Sequence, residues 1–333
     1  MDTNEEFRSA IHKASIFLSV DAGKGEGAQL AEKFGVKGYP TYLVLNAAGE
    51  TIDRWFGYGT PDSFLAALQG AVSDPSTVAE KHARYLESPN VYDAEKLGDI
   101  YTAEGDTEKA LSMYRAAVEL NREPNAELAG KIFYTLASGY FKEAVELDEV
   151  QAGADAVLAT ADKDNTMPLV QVARMMGSIG NKAGQPDLSR PYLLAALEAT
   201  EGTQEPDMVA ARRLLLLEKA LYIDHDLKTA LQLKRDSMPE GWKENASYLN
   251  SFAWWCFENK VNLEEAEKLA RVAVELAEPG NEKAMILDTL AEICNELDNC
   301  GEAVEIMQAA LEEEPDNEYY QEQLARFQEE CNT

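Results

Sequence analysis

The chain is 333 residues long, 45% apolar, and carries a formal net charge of −30, with 60 acidic against 30 basic residues. That size supports a sizeable core over more than one domain, and the acidic field repels phosphate and anionic lipid, which argues against nucleic-acid and membrane-surface binding. No run of about 18 apolar residues occurs, so no membrane-spanning helix is expected, and "MDTNEEFRSAIHKASIFLSV" lacks the basic start and apolar stretch of an export signal.

The first predicted element is Ile16-Phe17-Leu18-Ser19-Val20-Asp21, a short apolar run closed by a carboxylate, which reads as a buried strand. In "GEGAQLAEKFGV", Leu30, Ala31 and Phe34 fall at helical spacing before Gly35, so a short helix is expected. Thr41 to Leu45 is β-branched and aromatic, "NAAGE" supplies a turn, and Thr51 to Phe56 returns, which together predict an antiparallel hairpin. Gly57 and Gly59 break that strand. Pro61 then opens a helix with Phe64, Leu65 and Leu68 on one face.

This order of strand, helix, strand, strand and helix, with "GYPT" before the hairpin and "GY" after it, resembles the C-terminal half of a thioredoxin-like domain from Ile16 to about Leu68. The resemblance implies a cis peptide bond before Pro40. It also implies that the backbone at Tyr39 pairs with extended peptides, so Tyr39, Pro40 and Thr41 are candidate peptide-binding residues. The plainer alternative is that Pro40 only shapes the entry to the next strand. Residues 1–74 contain no cysteine, and thiol–disulfide exchange requires a thiolate, so this partial module is expected to be redox-inactive. The family's earlier strands and cysteine pair have no counterpart here. Either the N-terminus is incomplete, which is the reading favoured, or the half-domain is completed by other residues or another chain, or its strands rearrange to pair directly.

Residues 75–89 are expected to form a linker helix, and 90–333 to be helical and repetitive, clearest at 91–124, 247–280 and 284–317. Leu97, Gly98, Tyr101, Ala110, Tyr114 and Ala117 recur with identical spacing as Leu290, Ala291, Cys294, Ala303, Met307 and Ala310. They recur again as Phe252, Ala253, Cys256, Ala266, Ala270 and Ala273, with one extra residue between the helices. The pattern resembles tetratricopeptide repeats. Small residues let two antiparallel helices approach, and large ones fill the space between repeats. Residues 125–245 carry apolar helical faces in degenerate form, separated by turn signals such as "DKDN", "NKAGQPD" and "EGTQEPD". The expected architecture is thus an α/β partial thioredoxin-like module followed by an all-α tetratricopeptide-like solenoid, mostly α overall.

No clear catalytic chemistry emerges. Cys256 and Cys294 share a core-facing repeat position and read as small apolar residues. Cys300 lies six residues from Cys294, about 9 Å along a helix, too far for an unbent bridge, and Cys331 near the terminus is open to outside thiols. Phe252, Trp254 and Trp255 read as core packing in preference to a ligand anchor. Glu312-Glu313-Glu314 reads as a solvated helix end in preference to a basic-partner contact, and His225 between Asp224 and Asp226 as a surface turn. No metal or cofactor is expected, since neither phosphate-loop, dinucleotide nor nucleophile-elbow motifs occur and "DKDN" lacks the form of a calcium loop. The expected role is a non-catalytic interaction protein of bacterial type, binding a protein or peptide partner, with a basic partner among the options. The alternative is a thiol–disulfide oxidoreductase of the thioredoxin family whose cysteine-bearing half lies upstream of Met1. Compartment and oligomeric state stay open.

Overall fold

The computed structural model describes residues 5–122, 125–161 and 166–331. The described residues form seventeen α-helices and a single two-stranded sheet, in two compact units, Met1–Ala199 and Thr200–Thr333.

The first unit begins with α1 (Glu5–Ala14) and α2 (Gly25–Lys33), followed by β1 (Thr41–Leu45), β2 (Thr51–Phe56) and α3 (Pro61–Ser73). The strands pair antiparallel with Thr41 opposite Phe56 and a bulge at Val44/Leu45. Their apolar face packs against α1 and α3 through Phe7, Ile11, Phe64 and Leu68, joined by Tyr42, Val44 and Trp55. Thr60 caps α3 by accepting from the Ser63 amide, and Pro61 sits where an amide proton has no partner to miss. Arg54 on β2 donates to the carbonyls of Phe34 (3.1 Å) and Gly35 (3.4 Å), which holds the end of α2.

The strand expected at Ile16–Asp21 is not formed. The segment has no regular secondary structure, and Ile16, Leu18 and Val20 are exposed at 99%, 75% and 43%. Only Phe17 packs inward, onto the α1–α3 cluster. The physical reason is a missing neighbour: β1 pairs with β2, and no other strand lies among the described residues, so the run has no ladder to join. The order in residues 5–74 is therefore helix, helix, strand, strand, helix, and the thioredoxin-like pattern is not completed.

The segment expected as a linker helix is α4 (Val78–Glu87), and it is tied down firmly. Lys81 on it is fully buried. Its ammonium donates to the carbonyls of Ile52 on β2 (3.2 Å), of Asp74 (3.1 Å) and of Ser76. Arg84 bridges Asp74 (2.8 Å) and the buried Asp93 on α5 (Val91–Glu104), and Lys96 on α5 pairs with the buried Asp53 at 2.5 Å. A sheet, a helix and the first repeat are thus joined by charge as well as by apolar contact.

Hairpins follow. In the first unit α5 pairs with α6 (Thr107–Asn121), α7 (Ala126–Phe141) with α8 (Leu147–Ala159), and α9 (Met167–Lys182) with α10 (Arg190–Ala199). In the second, α11 (Pro206–Glu218) runs into a π-helical turn before α12 (Leu227–Asp236). Then α13 (Ala246–Glu258) pairs with α14 (Leu263–Leu276), α15 (Asn281–Glu296) with α16 (Cys300–Glu313), and α17 (Glu318–Glu330) lies on α16. Five of these first helices end alike, with a left-handed residue and an amide reaching back to a carbonyl five residues earlier. The left-handed residues are Gly105, Glu143, Gly184, Lys260 and Asp298, and the accepting carbonyls belong to Tyr101, Gly139, Gly180, Cys256 and Cys294. The signature residues pack where antiparallel helices meet: Leu97, Ala110, Tyr114, Ala117, Phe252, Ala253, Cys256, Ala266, Ala270, Ala273, Leu290, Ala291, Cys294, Ala303, Met307 and Ala310 are buried, and Tyr101 is partly so. At Gly98 an added Cβ would stand 2.4 Å from the Tyr114 ring, so only glycine admits that tyrosine. The "DKDN" turn lies outside the described residues.

Candidate functional site

Two of the four cysteines lie as expected and two do not. Cys256 and Cys294 are buried, and burial pushes each up to about 12, which suits packing and not attack. Cys300 and Cys331 are joined by a disulfide, Cα to Cα 5.4 Å, so Cys331 is not open to outside thiols. The pairing follows from α17 folding back along α16, which sets the end of one beside the start of the other. Glu267, Cys294 and Glu302 converge closely enough to suggest a metal, but Arg271 fills the node, donating to Glu267 (2.8 Å) and Glu302 (2.7 Å).

The reading of Glu312–Glu314 as a solvated helix end also changes. Glu313 accepts from the Gly280 amide (2.8 Å) and pairs with Lys283, and Glu314 accepts from Asn281 and Asn317, so two of the three carboxylates stitch the end of α16 to the start of α15 and to the turn before α17. His225 lies in a left-handed turn whose neighbours are already engaged, Asp224 with Lys219 and Asp226 as the cap of α12.

At "GYPT", the Tyr39–Pro40 peptide is cis, Tyr39 is 65% exposed, Thr41 donates to the Gly38 carbonyl (2.7 Å), and the Pro40 carbonyl accepts from Gly57 (2.9 Å).

A different face carries unspent polarity. On α13, Asn250, Trp254 and Phe257 recur at helical spacing, and on α15 so do Asp288 and Glu292. These two helices pack against each other. Phe252 belongs to the core and the partly buried Trp255 packs against it, whereas Trp254, also partly buried, lies outside that cluster with its ring tilted against Phe257, centres 5.1 Å apart. Asn250 and Asp288 are each 8% exposed, and the Oδ1 atom of each has no hydrogen-bond partner. The other oxygen of Asp288 faces the Tyr319 hydroxyl on α17 at 3.4 Å, while Arg326 on α17 pairs with Glu292 at 2.5 Å.

Burial, with Glu292 a turn away, pushes the Asp288 carboxyl up to about 6 against the pull of Tyr319 and Arg326. In an unfolded chain an aspartate titrates near 4. The folded group therefore holds its proton more tightly, and its contribution to stability is full below about pH 4 and lost as pH rises through about 6. Asp288→Asn is expected to stabilise the second unit at neutral pH, by about 2 kcal/mol at most, and to give no gain near pH 4. Urea midpoints at the two pH values measure this. A variant less stable than the parent at neutral pH would contradict it.

A tetratricopeptide-repeat family model matches residues 95–124, most of α5 and all of α6. No curated protein matches the chain. Among solved structures, the crystal structure of yeast Tom70 is similar at 15% identity and a TM-score of 0.41, over 92% of this chain and 64% of that one, so this chain spans less than two thirds of its length.

Proposed function

We propose that this repeat-bearing chain is a non-catalytic interaction protein whose helical hairpins hold a helix or extended segment of a protein partner. The observation that carries the reading is the α13–α15 face, where a partly exposed Trp254 stands beside buried side chains whose acceptors are unmet. The family match at 95–124 and the common closure of five first helices support a tetratricopeptide architecture for residues 90–333. The module over residues 1–74 is read as a redox-inactive, thioredoxin-like scaffold, because it contains no cysteine. Tyr39, Pro40 and Thr41 are its candidate contacts for an extended segment.

Selection of a displayed random peptide library against the full chain tests this. The selected peptides are expected to slow amide exchange in α13 and α15, and Trp254→Ala is expected to weaken them about ten-fold or more. Binders that protect other helices and ignore Trp254 would overturn the reading.

A further inference from the structure

We propose that the face built by α13, α15 and α17 takes a cationic side chain, a lysine or arginine of an extended segment, with Asp288 and Asn250 as acceptors and Trp254 as the wall. This rests on the peptide-binding reading above and names the chemistry of what binds.

Asn250 and Asp288 hold the same place in successive hairpins, two residues before the signature Phe252 and Leu290. Each is more than nine-tenths buried with one oxygen unmatched by any donor. Folded proteins leave few buried polar atoms unmatched, and two at one repeat position on adjoining helices mark a shared requirement. What is missing is a donor in both cases, so the ligand brings N–H groups. One of the two acceptors is a carboxylate, which favours a ligand that also brings positive charge.

The neighbouring pair shows the same recognition made internally. Glu292, one turn beyond Asp288, receives the guanidinium of Arg326 from α17 at 2.5 Å. Asp288 receives only a long contact from the Tyr319 hydroxyl. Along this row Glu292 has a cation in direct contact, whereas Asp288 feels that same Arg326 only through its charge. Trp254 adds an indole outside the core cluster, the ring that best attracts an ammonium or guanidinium. The net charge of −30 draws such a segment in from a distance.

The test uses the full chain and three blocked probe peptides of equal length, alternating alanine with lysine, glutamine or glutamate, with binding read by calorimetry. The lysine peptide is expected to bind about ten-fold or more tightly than the glutamine peptide, and the glutamate peptide not at all. Asp288→Asn is expected to remove that preference, and Trp254→Ala to reduce it several-fold. Glu275→Gln, which removes one exposed charge on α14, controls for the general field and is expected to change nothing. Equal weakening by Asp288→Asn and Glu275→Gln, or equal binding of the lysine and glutamine peptides, overturns the proposal. Library-selected peptides that protect α13 and α15 yet carry no lysine or arginine would overturn it as well, while leaving the peptide-binding reading intact.

Discussion

Cys331→Ser is expected to lower the stability of the second unit by about 2–4 kcal/mol, the effect of opening the loop that the Cys300–Cys331 bond closes across 31 residues. The bond ties the first residue of α16 to the residue that ends α17. α17 is held by this bond, by its own buried face, Tyr320 and Phe327, and by polar links to α15 from Arg326 to Glu292, Asn295 to Glu330 and Tyr319 to Asp288. Those contacts keep the helix docked in the serine variant, and the loss is of constraint more than of contact. Dithiothreitol is expected to bring the parent's unfolding midpoint down to that of the variant, and to leave the variant where it was. Thiol titration of unfolded protein is expected to find two reactive thiols without reductant and four with it, since Cys256 and Cys294 are the free pair. A parent midpoint indifferent to reductant, or four thiols from the start, would refute the bridge.

The hairpin β1–β2, the helix opened by Pro61 and the repeats with complete signatures were legible because local pattern and final packing agree there. The hairpins α7–α8 and α9–α10 looked degenerate because Gly139 and Gly180 stand where Tyr101, Cys256 and Cys294 stand elsewhere. Structure alone shows why: a Cβ on Gly139 would come within 2.5 Å of Val145, and one on Gly180 within 2.8 Å of the Gln185 carbonyl. The signal that survives is the left-handed residue four positions later, a glycine in one case and a glutamate in the other. Ile16–Asp21 misled in the opposite direction, since β propensity says how a residue suits a sheet and not whether a sheet is there. The Asn250–Asp288 face was missed altogether. Each is one polar residue on an amphipathic helix, and only the helices and tyrosine folded over them make their oxygens buried and unmatched.

The largest loss expected in the first unit comes from Lys81→Ala, about 3–5 kcal/mol. Lys81 is wholly buried, and its three N–H bonds go to the carbonyls of Ile52, Asp74 and Ser76, which lose that donor once the side chain is cut back. Lys81→Met separates volume from charge: it refills the space, leaves the three carbonyls without donors, and is still expected to cost about 2–3 kcal/mol at neutral pH. The pH dependence identifies the second part of the loss. Burial pushes the Asp53 carboxyl above its ordinary value, against the pull of Lys96 and Lys81, so its proton is held more tightly in the fold and its contribution is lost as pH rises. Removing Lys81 withdraws one of the cations that make the ionised form tolerable. Asp74 does not confuse the comparison, because Arg84 holds it far below the usual carboxylate range and it stays ionised throughout. The methionine variant is therefore expected to lie closer to the parent at acid pH, where more of Asp53 is protonated in both, and to fall away as pH rises. Urea denaturation followed by exchange at β2 and α4 reads both quantities. A methionine variant as stable as the parent at pH 7 would mean that Lys81 does not join the sheet to the repeats.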